Sequence, residues 1–167
     1  MIAVKRSDIR LYADPRKVLL RFLNFGTPER FNPVIDYVSR LDEAEARAQL
    51  KAVQENFRDR HFDLDDVFVE NFERLAGMVQ SPLSQEKKLL IGAFFTHEYS
   101  IEASALFNPS IVPHPDQGDL PEGDLRFILS MRATGEGHIS SIVFLPGILE
   151  ADGSVRLEER SKCLHSG

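Results

Sequence analysis

"LRFILSMRATGEGHISSIVFLPGI", residues 125–148, decides the fold of the second half of the chain. Its two apolar runs, 125–131 and 139–145, alternate with a period of two. That is the spacing of a half-buried strand. The link between them, Gly135-Glu136-Gly137-His138, is polar and carries two glycines. Strand, short Gly-bearing link, strand is the signature of an antiparallel hairpin.

Working outward, "ALFNPSIV" (105–112) reads as a strand before this hairpin, and "HPDQGDLPEGD" (114–124) as the turn-rich loop leading into it. Pro146 is expected to end or bend the third strand. "ADG" (151–153) signals a turn, and "SVRLEER" (154–160) a charged edge strand. Four consecutive antiparallel strands with short links form a meander. Such a unit is one blade of a propeller or a small sheet capped by helices.

The first half has a different texture. "SDIRLYADPRKVLLRF" (7–22) is expected to be an extended arm with a turn at Asp14-Pro15, its Ile9, Leu11, Val18, Leu20 and Phe22 fitting a period of two. Four helices follow. Asn32-Pro33 reads as the first helix start, with Val34, Ile35, Val38 and Leu41 on one face. Asp42 with Glu45 forms a capping box for the second, whose stripe is Ala46, Leu50, Val53 and Phe57. The third begins near Asp63–Asp66 and buries Leu64, Val67, Phe68, Phe72, Leu75 and Val79. The fourth begins at Ser81-Pro82 and carries Leu90, Ile91, Phe94 and Phe95. The expected class is therefore α+β: an arm and helical region over 1–102, a four-stranded sheet over 103–161, and a tail, 162–167.

At 167 residues, 43% hydrophobic and 28% charged, the chain can bury a core without metal or disulfide staples. A net charge of -6 argues against a nucleic-acid backbone tracker, which needs a clustered basic face. One cysteine, Cys163, leaves no intrachain disulfide. The absence of a long apolar run or a signal-peptide pattern makes the cytoplasm the expected compartment and a membrane partner unexpected. "FRDRHFDLDD" (57–66) groups His61, Asp63, Asp65 and Asp66, yet matches no calcium loop. It reads as a solvated link between helices. His61, His97, His114 and His138 lack ligand spacing, so no metal is expected.

In a meander the link after the second strand lies beside the start of the first. That places Asn108, Arg132, Thr134, Glu136 and His138 toward one rim, with Gly135 and Gly137 free to take positive φ. Arg offers a planar fork to an oxyanion, Glu and Asn hydrogen-bond hydroxyls, and His donates to an anion or moves a proton. The set suits a sugar or a phosphate. A Gly-rich hairpin turn with polar decoration accounts for the same composition.

Beyond spacing, "ALFNPSIVPHPDQGDLPEGDLRFILSMRATGEGHISSI" (105–142) resembles the first propeller blade of glycoside hydrolase family 130, which holds β-mannoside phosphorylases and β-mannosidases. "RSDIRLYADPRKVLLRFLNFG", "RHFDLDDVFVENFERL" and "FFTHEYSIEASALFNPSIVPHPDQ" resemble the helical extension that precedes the blade in one subgroup. The resemblance covers about residues 4–160. It implies a five-bladed propeller that cleaves β-mannosides with phosphate or water, with inversion. Inorganic phosphate would be a co-substrate, and no other cofactor is implied. Asn108 and Pro109 carry over to the sugar-facing rim, and Arg132, Glu136 and His138 follow by position as substrate-binding residues. None is assigned as catalytic, because the acid and the phosphate-holding basic residues are expected after residue 167. The functional expectation is a partial glycosidase or glycoside phosphorylase, inactive as this chain alone. The alternative is a non-catalytic carbohydrate-binding or oligomerisation module, since a lone blade exposes faces and edges that invite self-association.

Overall fold

A computed structural model of the chain describes residues 7–161 and Leu164; Cys163 lies outside them. The class is α+β, with four α-helices and antiparallel sheets among the described residues. The chain divides into two units. One is Leu19–Tyr99. The other joins the segment up to Val18 to the segment from Ser100 onward.

The helical unit contains strand β1 (Val18–Phe22), helices α1 (Pro28–Arg40), α2 (Glu43–Phe57), α3 (Leu64–Glu73) and α4 (Gln85–Phe94), and strand β2 (Thr96–Ser100). β1 and β2 form a two-stranded sheet. The arm thus finds a partner in "THEYS", a strand that the sequence reading did not contain. α1 starts five residues before the expected Asn32-Pro33, with Thr27 at its N-cap and Pro28 in its first turn. Pro33 lies inside the helix and costs one backbone bond. The reason is tertiary. Phe31 sits in that added turn and packs at 5.8 Å from Phe25 and 5.3 Å from Phe95, ring centre to ring centre. Burying an aromatic ring outweighs a single lost hydrogen bond.

Asp42 closes the expected capping box. Its carboxylate accepts the Glu45 N–H at 2.8 Å, and Glu45 Oε2 accepts the Asp42 N–H at 3.2 Å. α3 stops at Glu73, short of the expected Val79, and a 3-10 turn (Ala76–Met78) follows. α4 begins at Gln85 rather than Ser81-Pro82, because Ser84 supplies the cap through its hydroxyl to the Lys87 N–H. Ile35, Val38, Ala46, Leu50, Phe68, Phe72, Leu90, Ile91 and Phe95 make the core. Phe94, expected on the buried face, is 40% exposed and instead meets Tyr37 edge-on.

The second unit is built on a four-stranded antiparallel meander in the order β3 (Ala105–Pro113), β4 (Leu125–Thr134), β5 (Ser140–Leu149), β6 (Val155–Leu157). Pro146 does not end β5. It stands opposite Ile128, and its carbonyl accepts from the Glu158 N–H just past β6. In an antiparallel strand a residue's N and C=O point the same way, so the missing N–H of Pro146 faces outside the β4–β5 ladder. Phe127, Met131, Ala133 and Leu145 share one face of the sheet and are buried. The opposite face carries the rows Phe107–Arg132–Ile142 and Val112–Ile128–Pro146, with Phe144 between them.

The long loop before β4 is ordered by Gln117. Its side-chain amide donates to the Arg126 carbonyl at 2.8 Å and accepts the Arg126 N–H at 3.0 Å, extending the ladder by one pseudo-partner. Asp116 is held below the ordinary carboxylate range, first by the Gly118 N–H, against a smaller effect of burial, and then by Arg126.

Candidate functional site

The β3–β4 register puts Phe107 opposite Arg132 and Ala105 opposite Thr134, so the 135–139 link lies at the end of the sheet where β3 begins. Asn108 and Pro109 together stand opposite Met131, a two-against-one bulge between Phe107 and Ser110. The bulge holds Asn108 at φ 51°, in the left-handed region. Asparagine tolerates that region better than most residues.

The link after β4 is a 3-10 turn, Glu136–His138, in which Gly137 (φ 62°) and His138 (φ 61°) are both left-handed. The Gly135 N–H donates to the Ile139 carbonyl at 2.9 Å and closes the hairpin. Two of the three non-glycine residues with positive φ among those described, Asn108 and His138, therefore belong to one end of one sheet.

Arg132 projects from the exposed face of β4. Its Nε and Nη2 donate to Ser140 Oγ at 3.0 and 2.8 Å, and its guanidinium lies 5.4 Å from the centre of the Phe107 ring. The two Ser140 bonds and the nearby ring restrain the guanidinium. Glu136 is differently placed. Its Oε1 accepts the Ser100 N–H at 3.2 Å, so the carboxylate helps to anchor the entry to the unit. Asn108, Arg132, Glu136 and His138 are all solvent-exposed.

The helical unit holds a second polar constellation that sequence reasoning missed. "FRDRHFDLDD" was expected to be a solvated link, yet His61 is buried, and its Nε2 lies 2.7 Å from Glu98 Oε1. Arg60 donates to both oxygens of Glu98, through Nε at 2.5 Å and Nη2 at 3.2 Å. Burial pushes the Glu98 carboxyl up, but the hydrogen bonds from Arg60 and His61 outweigh it and hold the group below the ordinary glutamate range. A carboxylate accepts only, so His61 presents Nε2–H to it. The signal was present in "THEYS": β2 alternates Thr96, Glu98 and Ser100 on one side.

Among the described residues no group of three or more His, Cys, Asp or Glu side chains could hold a metal ion. Among the same residues no helix is long and apolar enough to cross a membrane. The fold and site define an α+β chain whose sheet unit presents a polar turn beside a left-handed bulge. The chain matches no family model, no curated protein and no solved structure.

Proposed function

We propose that the sheet unit is a propeller-type blade of the kind found in glycoside hydrolase family 130, and that Asn108, Arg132 and His138 contact a β-mannoside. The reading rests on the left-handed pair Asn108 and His138 flanking Arg132 at one end of a four-stranded meander. Backbone strain of this kind persists where the surroundings over-determine it, and it clusters at ligand clamps. An exposed guanidinium near an aromatic ring suits a vicinal diol or a phosphate oxygen. The chain by itself is read as non-catalytic. Its one rim carboxylate, Glu136, is engaged with the Ser100 amide. Inversion needs a donor acid and a second group placed across the sugar.

The test is a titration of the 15N-labelled chain with β-1,4-mannobiose, with and without phosphate. Saturable amide shifts at Phe107, Asn108 and residues 132–139 that vanish in Arg132→Ala are expected, without release of mannose or mannose 1-phosphate. Unmoved rim resonances at high millimolar sugar would sink the binding claim. Turnover by the purified chain would sink the non-catalytic one.

A second reading has its own observation. On the exposed face of the sheet Ile142 is 59%, Val112 54% and Phe144 68% exposed. In a blade this face is covered by a neighbour. In an oligomerisation module it is covered by another copy. Sedimentation velocity that shows a concentration-dependent dimer, abolished by Phe144→Glu, would favour self-association.

A further inference from the structure

The helical unit contains a partly open cavity of about 200 Å³. Leu20, Val53, Phe57, Leu64, Phe68 and Ala93 form its apolar walls, and Thr96, His97 and Glu98 its polar end. These residues come from β1, α2, α3, α4 and β2, so the cavity belongs to the fold of this unit and not to one loop. An apolar cavity of about 150 Å³ is enough to admit a benzene ring. Two phenylalanines in the wall offer ring faces and edges to another ring.

Two of the three residues at the polar end have acceptor positions to spare. Thr96 Oγ1 donates to the Gly92 carbonyl at 2.7 Å and accepts from Asn71 Nδ2 at 2.7 Å. A hydroxyl has one donor and two acceptor positions, so its unused position is an acceptor. An ionised carboxylate has about four acceptor positions, and Glu98 uses three of them, two on Arg60 and one on His61. What is left over on both residues accepts. A ligand that donates a hydrogen bond therefore finds an acceptor on either of these two residues. Arg60 balances the Glu98 charge, so a cation is not called for.

We propose that this cavity binds a neutral single-ring aromatic that carries one hydrogen-bond donor, a phenol or an aniline, with its ring between Phe57 and Phe68 and its donor toward Thr96 and Glu98. The site lies wholly within the helical unit and is independent of any sugar site on the sheet.

The experiment is a 15N–1H titration of the full chain with phenol, aniline, anisole and toluene. Phenol and aniline should shift the amides of Val53, Phe57, Ala93 and Thr96 saturably. Anisole and toluene, which lack the donor, should bind about fivefold more weakly, the usual worth of one net hydrogen bond. Ala93→Leu should fill the space and abolish the shifts. Val53→Phe serves the same purpose from α2 should that variant not fold. Equal binding of anisole and phenol overturns the donor claim. Absence of saturable shifts at these amides with phenol, or undiminished phenol binding in a folded filled-cavity variant, overturns the site.

Discussion

The ring of Phe127 occupies the space that a side chain on Gly147, its directly opposed partner in the β4–β5 ladder, would need. A Cβ built on Gly147 would lie 2.5 Å from Phe127 Cζ and 3.0 Å from the Arg156 carbonyl oxygen. The glycine is thus the seat of a buried aromatic, and the ring covers backbone that would otherwise weaken the strand. Gly147→Val should destabilise the sheet unit by about 1–3 kcal/mol, the usual cost of overpacking. Urea denaturation followed by circular dichroism measures it. An unchanged midpoint would show that Phe127 can move aside freely.

Asn108 holds a left-handed backbone inside β3. A β-branched residue pays most for that conformation, so Asn108→Val should cost about 1–3 kcal/mol, whereas Asn108→Gly should be close to neutral. Thermal melts of the two variants decide it. Similar losses in both would mean that the Asn108 side chain, not its backbone, matters to stability.

Glu102 is fully buried and accepts from the Asp14 N–H at 3.0 Å and from the Arg160 guanidinium. These bonds join the arm, the start of the sheet unit and the segment after β6. Arg160→Met leaves a buried carboxylate short of its cation and should cost about 3 kcal/mol. The double variant Glu102→Gln/Arg160→Met should lose less than the sum of the singles. A double-mutant cycle by urea denaturation reads the coupling. Strict additivity would show that the pair contributes no coupling.

Glu98 gives the helical unit an acid-sensitive contact. Its folded pKa lies below its ordinary value of 4.5, because the hydrogen bonds from Arg60 and His61 overcome the opposing effect of burial. The stabilisation is therefore fully present above the ordinary value and is lost as pH falls through the lowered folded value. The stability gap between the native chain and Glu98→Gln should be wide at pH 6 and should narrow below pH 4.5. Denaturation midpoints across pH 3–6 check this. A gap that is constant with pH would mean that Glu98 contributes its shape and not its charge.

Much of the fold is written in short-range pattern. The Asp42–Glu45 box, the stripe through Ala46 and Leu50, the period-two run at 125–133, and the Gly-bearing link at 135–138 are local signals, and each sits where its pattern places it. Backbone geometry alone dictates them: 3.6 residues per helical turn, two per strand repeat, and a cap for unpaired amides. That the 135–139 link lies at the end of the sheet where β3 begins is equally legible, because consecutive strands of a meander reverse direction.

What only the tertiary structure decided are the places where distant atoms outweigh local preference. Pro33 would start a helix, but Phe31 packs on Phe95 and carries the helix back to Pro28. Pro146 would end a strand, but its missing N–H faces away from the β4–β5 ladder, which runs on through it. His61 would be solvated, but Glu98, 37 residues away, gives it a buried partner. Each outcome is set by burial and pairing between residues far apart in the chain, and a single sequence records those energies at neither partner alone.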